Sequence, residues 1–186
     1  MLAPLSVTRM PTNAAHNRSW QIAEVVFGGP FVVALLLQRV IPMSLPRGLY
    51  GLAWIIGGGV LAVIGVAIIA LGRQELARLG QPTDPGHPTT NIVTSGVYSL
   101  SRNPLYLGAT CFLAGAALAF NLPWVLVLLL PSLVLCHFVL IAPEERYLAA
   151  RFGDEYREYA RSVNRWFGRG RKRAVPAAGH DTGGGR

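Results

Sequence analysis

The chain has 186 residues, enough for one domain, and its composition excludes an ordinary water-soluble surface. Hydrophobic residues make up 52% of the chain and charged residues only 14%, whereas soluble domains carry about 25% charge. The net charge is +8, and ten of the 17 lysines and arginines follow Pro143, at positions 146, 151, 157, 161, 165, 169, 171, 172, 173 and 186. Beside apolar segments, such charge favours contact with anionic lipid headgroups over binding to nucleic acid.

Residues 1–19 are polar and mixed, and they are interpreted as a loose or interfacial segment. A signal peptide is not expected, because the first apolar stretch begins only after Trp20. The two cysteines, Cys111 and Cys136, lie in uncharged segments, and their spacing suggests neither a metal site nor a disulfide framework. We expect both to be small apolar core residues.

Two apolar segments in the first half of the chain predict membrane spans. The first covers residues 22–41 and contains Pro30, which is expected to kink its helix. The second, at 48–72, has no charged residue and exceeds the roughly 20 residues that cross a bilayer. Within it, Gly58 and Ala62 stand four positions apart, which would let another helix approach closely.

Residues 73–104 form a long loop in this prediction. The loop begins with charged residues and continues through Pro82, Pro85 and Pro88, a proline density that no helix tolerates. Long irregular loops between spans are uncommon unless they are functional or disordered. The 41 residues from 103 to 143 carry no formal charge, which suits two helices at 105–120 and 123–142 joined by a turn at Asn121, Leu122 and Pro123.

The sequence becomes amphipathic after Pro143. Apolar side chains at spacings of three and four predict an amphipathic helix there, namely Leu148, Phe152, Tyr156, Tyr159 and Val163.

The sequence therefore predicts an all-α polytopic membrane helical bundle of about four spans, with five as the alternative, and a C-terminal amphipathic cytoplasmic helix. Its parts are 1–72 with the first two spans, 73–167 with the loop, hairpin and amphipathic helix, and a basic tail at 168–186, which is expected to be disordered. Arginine placement puts the loop and the C-terminal region in the cytoplasm.

This topology predicts a polar site, because antiparallel helices joined by a tight turn keep their far ends close. Arg102 and the pair Glu144 and Glu145 should be neighbours, together with Tyr106 and Gly108, whose missing side chain permits close approach. An arginine and a carboxylate suit an amphoteric ligand, such as the amino-acid end of S-adenosylmethionine. Acid–base work by the carboxylates and a simple solvated helix start remain alternatives.

Two sequence blocks carry a resemblance. The first runs Ile92-Val93-Thr94-Ser95-Gly96-Val97-Tyr98 and then Ser101-Arg102-Asn103-Pro104-Leu105-Tyr106-Leu107-Gly108. The second runs Glu144-Glu145-Arg146-Tyr147-Leu148, followed by Phe152-Gly153-Asp154-Glu155-Tyr156-Arg157-Glu158-Tyr159 and Val163-Asn164-Arg165-Trp166. Their order and separation across a hairpin resemble the isoprenylcysteine carboxyl methyltransferase and phospholipid methyltransferase superfamily, in its bacterial integral membrane form. The resemblance covers about residues 73–167.

The resemblance implies S-adenosylmethionine as the cofactor and a set of residues that enclose it. The positions that match the family motifs are Tyr98, Arg102, Asn103, Pro104, Tyr106, Gly108, Glu144 and Glu145. Arg102 and Glu145 are the expected catalytic residues. Asn103 departs from the eukaryotic prenylcysteine enzymes, which have histidine there. Asparagine forms hydrogen bonds but cannot carry a proton, which speaks against an acid–base role at this position and against a prenylcysteine substrate.

The implied reaction is direct methyl displacement onto a small or lipophilic acceptor, a carboxylate, thiol or amine reached from the bilayer, in the bacterial inner membrane. Two alternatives remain: an NADPH-dependent membrane reductase related to sterol reductases, and a non-catalytic membrane scaffold. His137 inside the last predicted span is interpreted as a neutral, hydrogen-bonded imidazole. Arg165 could reach back to the pocket mouth. The identity of the acceptor and the oligomeric state are left open by the sequence.

Overall fold

The computed structural model describes residues 18–46, 48, 51–81 and 90–170. These residues are helical apart from short loops and one isolated β-bridge between Val163 and Arg169, so the predicted all-α fold class is confirmed. The predictions for the N-terminal segment before residue 18, the proline-rich stretch 82–89 and the tail after residue 170 lie outside the described residues.

The first two helices are α1, Arg18–Val40, and α2, Gly51–Arg78. Helix α2 is longer than predicted, because it continues beyond residue 72 through a charged extension, Arg73-Gln74-Glu75-Leu76-Ala77-Arg78. These residues are strong helix formers, so the end of the apolar stretch does not end the helix. The predicted boundary between residues 72 and 73 therefore falls inside a helix.

A 3-10 turn, Gly96–Ser99, precedes the hairpin of α3, Pro104–Phe120, and α4, Pro123–Leu135. Both helices start with proline, whose fixed φ angle suits the first helical position and whose missing N–H has no intrahelical partner there. The predicted turn is confirmed at Asn121, which adopts the left-handed conformation with φ 58°.

The last apolar helix does not end near residue 142. Helix α4 passes through a π-helical turn, Cys136–Ile141, into α5, Ala142–Phe152. Pro143 cannot donate to the carbonyl four residues earlier and would collide with it in a regular helix, so the wider turn relieves this conflict. One inserted residue turns everything after it by about 100° around the helix axis. Helix α6, Asp154–Ser162, follows after Gly153.

Helices α2 and α3 pack closely through facing glycines. A Cβ built on Gly58 would lie 2.6 Å from the carbonyl oxygen of Gly115, and one on Gly65 would lie 2.6 Å from that of Gly108. The backbone of Ala62 lies against Gly115 in the same contact. The prediction that the Gly58 and Ala62 face admits another helix is confirmed, and the partner is α3.

Apolar side chains cover much of the outer surface of the helices. The most exposed of them are at least 66% accessible, and they include Val25, Val40, Leu52, Val63, Phe120, Leu130 and Phe138. A continuous apolar surface of this kind suits lipid better than water. Two helical stretches, Gly51–Arg78 and Pro123–Phe152, are long and apolar enough to cross a membrane, and Pro104–Phe120 is a shorter apolar helix. The count of four spans stays a prediction.

Candidate functional site

The start of α3 and the start of α5 meet in an ion pair. The Arg102 Nη1 atom lies 2.9 Å from Oε1 of Glu145, and only 13% and 14% of the two side chains are exposed. The predicted proximity of these residues, which rests on the hairpin geometry, is confirmed. Because both groups are largely withdrawn from water, this pair interacts more strongly than a surface pair would.

A second arginine reaches the same carboxylate from the C-terminal end of the chain. Arg165 donates from Nε to Oε1 of Glu145 at 2.9 Å and from Nη2 to Oε2 at 2.5 Å. This two-point contact matches the fork of a guanidinium to the two oxygens of a carboxylate. The hydrogen bond to Glu145 raises the pKa of Arg165, which therefore stays charged. Glu145 thus balances two cations and is occupied by protein contacts.

Glu144 has the opposite environment. Among the residues that the structure describes, no cation pairs with its carboxylate and no hydrogen-bond donor reaches it. Its side chain is accessible, yet protein atoms surround the carboxyl group closely enough to limit its hydration. This loss of hydration, followed by the charge of Glu145, raises the pKa of Glu144 from the ordinary 4.5 to about 7. Glu144 therefore combines an accessible side chain with a carboxyl group whose ionised form is disfavoured.

Three titratable side chains are close enough to Glu144 to be affected by its charge. Its charge acts on Tyr98 in the 3-10 turn, on Tyr106 in α3 and on Cys136 in the π-helical turn. Burial, and then the Glu144 charge, raise the pKa of Tyr98 well above its usual range, so the phenol stays neutral. The predicted wall residues Tyr98 and Tyr106 therefore lie on the same side as the free carboxylate.

Arg102 has a buried donor without an acceptor among the described residues. Its Nη1 also donates to the Tyr156 hydroxyl at 3.3 Å, but its Nε–H is buried and has no acceptor within the described part of the chain. An unsatisfied buried donor is costly and calls for an explanation, of which a bound ligand is one. The site thus offers an unused cationic donor and, from Glu144, an unpaired anionic acceptor.

The segment before Arg102 is held in place by α2 and α6. Ser95 Oγ donates to Glu75 in a short hydrogen bond, and a Cβ on Gly96, whose φ is +58°, would lie 3.2 Å from the Glu75 side chain. The Tyr159 hydroxyl donates to the backbone carbonyl of Tyr98 at 2.7 Å. These contacts fix the conformation of the polypeptide that carries Tyr98 and Arg102.

Asn103 and Pro104 stabilise the start of α3 through hydrogen bonds and burial. The Asn103 Nδ2 donates to the carbonyl oxygen of Arg165 at 3.2 Å, and its backbone N–H donates to Ser101 Oγ at 3.1 Å. Pro104 is buried as the first residue of α3. A direct contact of either residue with a cofactor stays a prediction, because their visible contacts are made within the protein.

Gly108 permits a close backbone approach, and the approaching element is helix α2. A Cβ on Gly108 would lie 2.7 Å from the carbonyl oxygen of Gly65. Contact of Gly108 with a cofactor stays a prediction. Tyr106, two residues earlier, packs with Trp166 against the buried cluster of Val26, Cys136, Leu140 and Ile141.

Three residues that contribute to this geometry were not among the site residues predicted from the sequence. Arg165 is one of many C-terminal arginines, Tyr156 belongs to an amphipathic stripe, and Glu75 lies in a charged extension. Only Arg165 carried a usable signal, its place in the second sequence block. His137 contacts Phe138 edge to face, with ring centres 4.9 Å apart.

The fold and the site together define a class of protein. Apolar helices carry a polar site at one end, where the described residues leave Glu144 without a cationic partner and the Arg102 Nε–H without an acceptor. This is the arrangement of a helical membrane protein with a polar site at one end of its apolar helices. The chain matches the family described as phospholipid methyltransferase over residues 53–155, which is more than half of its length. It belongs to that family and so to the isoprenylcysteine carboxyl methyltransferase-like superfamily.

One curated relative is the cobalt-zinc-cadmium resistance protein CzcN of Cupriavidus metallidurans. It is 35% identical over 113 residues, which cover 59% of this chain and 48% of the relative. The chain therefore spans about half the length of this relative. No solved structure matches the chain.

Proposed function

We propose that the protein is an integral membrane methyltransferase that uses S-adenosylmethionine and methylates a lipophilic or small acceptor carrying a carboxylate, thiol or amine. The family supports methyl transfer in general. One observation carries the choice of cofactor: Glu144 has no cationic partner among the described residues while the nearby Arg102 has a buried Nε–H without an acceptor. The amino-acid end of S-adenosylmethionine carries the ammonium and the carboxylate that would satisfy both groups.

In this proposal, the charge of each site residue determines its role. Glu144 holds the ammonium group, and Arg102 holds the carboxylate through its unused donor. Glu145, expected from the sequence to be catalytic, acts in this proposal by holding Arg102 in position, because both of its oxygens are already bonded to arginines. Tyr98 and Tyr106 form neutral walls beside Glu144.

When bound, S-adenosylmethionine supplies a methyl group that its positively charged sulfur already activates. The protein therefore contributes mainly position and a controlled electrostatic environment. A lipophilic acceptor would reach the bound cofactor from the bilayer, which borders the apolar faces of the helices.

The same proposal gives a location and an orientation. The polar end that carries the site is also the end with the arginine-rich α5 and α6, and positively charged segments stay on the cytoplasmic side. We therefore place the protein in the bacterial inner membrane with the site and C-terminus facing the cytoplasm. Cysteine labelling from either side of intact spheroplasts tests this orientation.

Calorimetry with the full chain in lipid nanodiscs tests the cofactor. We expect S-adenosylhomocysteine to bind, NADPH not to bind, and Glu144→Gln to weaken binding of S-adenosylhomocysteine. Binding of NADPH alone would support a reductase instead, and binding of neither would support a scaffold. Mass spectrometry of lipids and small molecules after incubation with labelled S-adenosylmethionine then identifies the acceptor.

A further inference from the structure

The residues after α6 form a strap, residues 163–170, that closes over the start of α3. The Arg102 backbone N–H donates to the Asn164 carbonyl at 3.1 Å, and the Gly168 N–H donates to the Leu100 carbonyl at 2.8 Å. The bridge between Val163 and Arg169 folds the strap back on itself. The strap is therefore bonded through main-chain contacts to Arg102 itself and to Leu100, two residues before it.

Arg165 projects from this strap to Glu145 and forms the two-point contact described above. It lies beyond residue 155, where the match to the family ends. The carboxylate between the two arginines is held in one orientation, because each oxygen accepts from Arg165 and Oε1 also lies 2.9 Å from Nη1 of Arg102. Without Arg165, Oε2 of Glu145 would have no partner among the described residues, although only 14% of the Glu145 side chain is exposed.

We propose that Arg165 is a positioning residue for the cofactor, which holds Glu145 by both oxygens so that Glu145 fixes Arg102 with its Nε–H turned to the ligand. This inference rests on the proposed function and deepens it. It makes the strap part of the binding site, although the strap itself makes no contact with the ligand in this proposal.

The variant Arg165→Lys distinguishes a positioning role of Arg165 from an effect of its charge alone. A lysine keeps the positive charge but cannot engage both oxygens of a carboxylate in a fixed fork. We expect Arg165→Gln to raise the Kd for S-adenosylhomocysteine by about tenfold or more, the order of change caused by losing a hydrogen bond between charged groups, and Arg165→Lys to give an intermediate loss. The matched control is Arg161→Gln, which removes an exposed arginine from α6 and should leave the Kd unchanged.

A double-mutant cycle shows whether Arg165 acts through Glu145. In the full chain in nanodiscs, adding Arg165→Gln to Glu145→Gln should change the Kd by less than about twofold, because the link is already broken. Thermal unfolding of each variant shows whether it is folded, and Arg165→Lys serves if Arg165→Gln does not fold.

The outcomes separate the two proposals. If the wild-type chain binds S-adenosylhomocysteine and folded Arg165→Gln binds it as tightly as Arg161→Gln does, the positioning role is wrong and the proposed function stands. A lower melting temperature with an unchanged Kd would likewise show that Arg165 only anchors the strap. Failure of the wild-type chain to bind would reject both proposals.

Discussion

Gly65 of α2 and Gly108 of α3 face each other so closely that a Cβ on either would lie 2.6–2.7 Å from the carbonyl oxygen of the other. Even alanine therefore requires the two backbones to separate. We expect Gly65→Ala to destabilise the protein by about 3 kcal/mol, at the upper end of overpacking effects. Gly57→Ala is the control, because a Cβ there meets nothing within 4 Å. Thermal unfolding in detergent measures both, and equal melting temperatures would contradict this packing.

The pKa of Glu144 near 7 predicts a pH dependence of cofactor binding. The carboxylate must be ionised to hold an ammonium group, so affinity for S-adenosylhomocysteine should fall about tenfold for each pH unit below 7 and level off above it. Glu144→Gln should remove this dependence, whereas Glu158→Gln, at an exposed position in α6, should retain it. Calorimetry between pH 5.5 and 8 tests the prediction. A flat wild-type profile would show that Glu144 does not hold the ammonium.

The same group predicts how stability changes with pH. A folded-state pKa raised above 4.5 means that the folded chain binds more protons than the unfolded chain between about pH 4.5 and 7, so Glu144 lowers stability as pH rises through that window. Glu144→Gln should therefore raise the melting temperature at pH 8 and have a smaller effect at pH 4.5. A destabilised variant at pH 8 would show that the carboxylate has a partner when ionised.

Glu75 is expected to support the site from outside it. Glu75→Ala removes the acceptor for Ser95 and should lower the free energy of unfolding by about 2 kcal/mol, as for other bonds to charged groups. Arg78→Ala removes only a 3.6 Å pair whose arginine is 70% exposed, which should cost less than about 1 kcal/mol. Chemical denaturation separates the two variants. Similar losses would mean that the Ser95 bond contributes little.

Asn103 allows a test of the histidine found in the prenylcysteine enzymes. Asn103→His keeps an N–H that can donate to the Arg165 carbonyl, so affinity for S-adenosylhomocysteine should stay within about tenfold of wild type. Asn103→Asp has the same shape but loses the donor and buries a charge beside a carbonyl, which should cost about 2 kcal/mol of stability or more. If Asn103→Asp were as stable as wild type, the bond to the strap would be unimportant.

Much of the fold was predictable because its signals are local. Each signal lies within a short stretch of sequence: the length of the uncharged segments, the turn at Asn121 and the small residues of α2. The structure agrees in detail with the turn and with the small residues. The contact between Arg102 and Glu145 was also predictable, since a short antiparallel hairpin leaves little choice about where its ends lie.

The remaining features depend on contacts that are distant in sequence. The sequence suggested that Arg165 reaches the pocket mouth, but its contact with Glu145 depends on the return of the strap to Leu100 and Arg102. The π-helical turn sets the direction in which both Glu144 and Glu145 point, because both follow one extra residue before Pro143. No periodic pattern in the sequence indicates that turn. Which of the two adjacent glutamates pairs with Arg102 and Arg165 was therefore not predictable.

The strap has a consequence for how the protein is made. Arg165 follows every apolar helix in the described part of the chain, so the ribosome has synthesised all of those helices before it adds the residue that pairs with Glu145. Glu145 is therefore without this partner while the earlier helices enter the membrane. Under the proposed function, the cofactor site is complete only after Arg165 has left the ribosome and the strap has folded back.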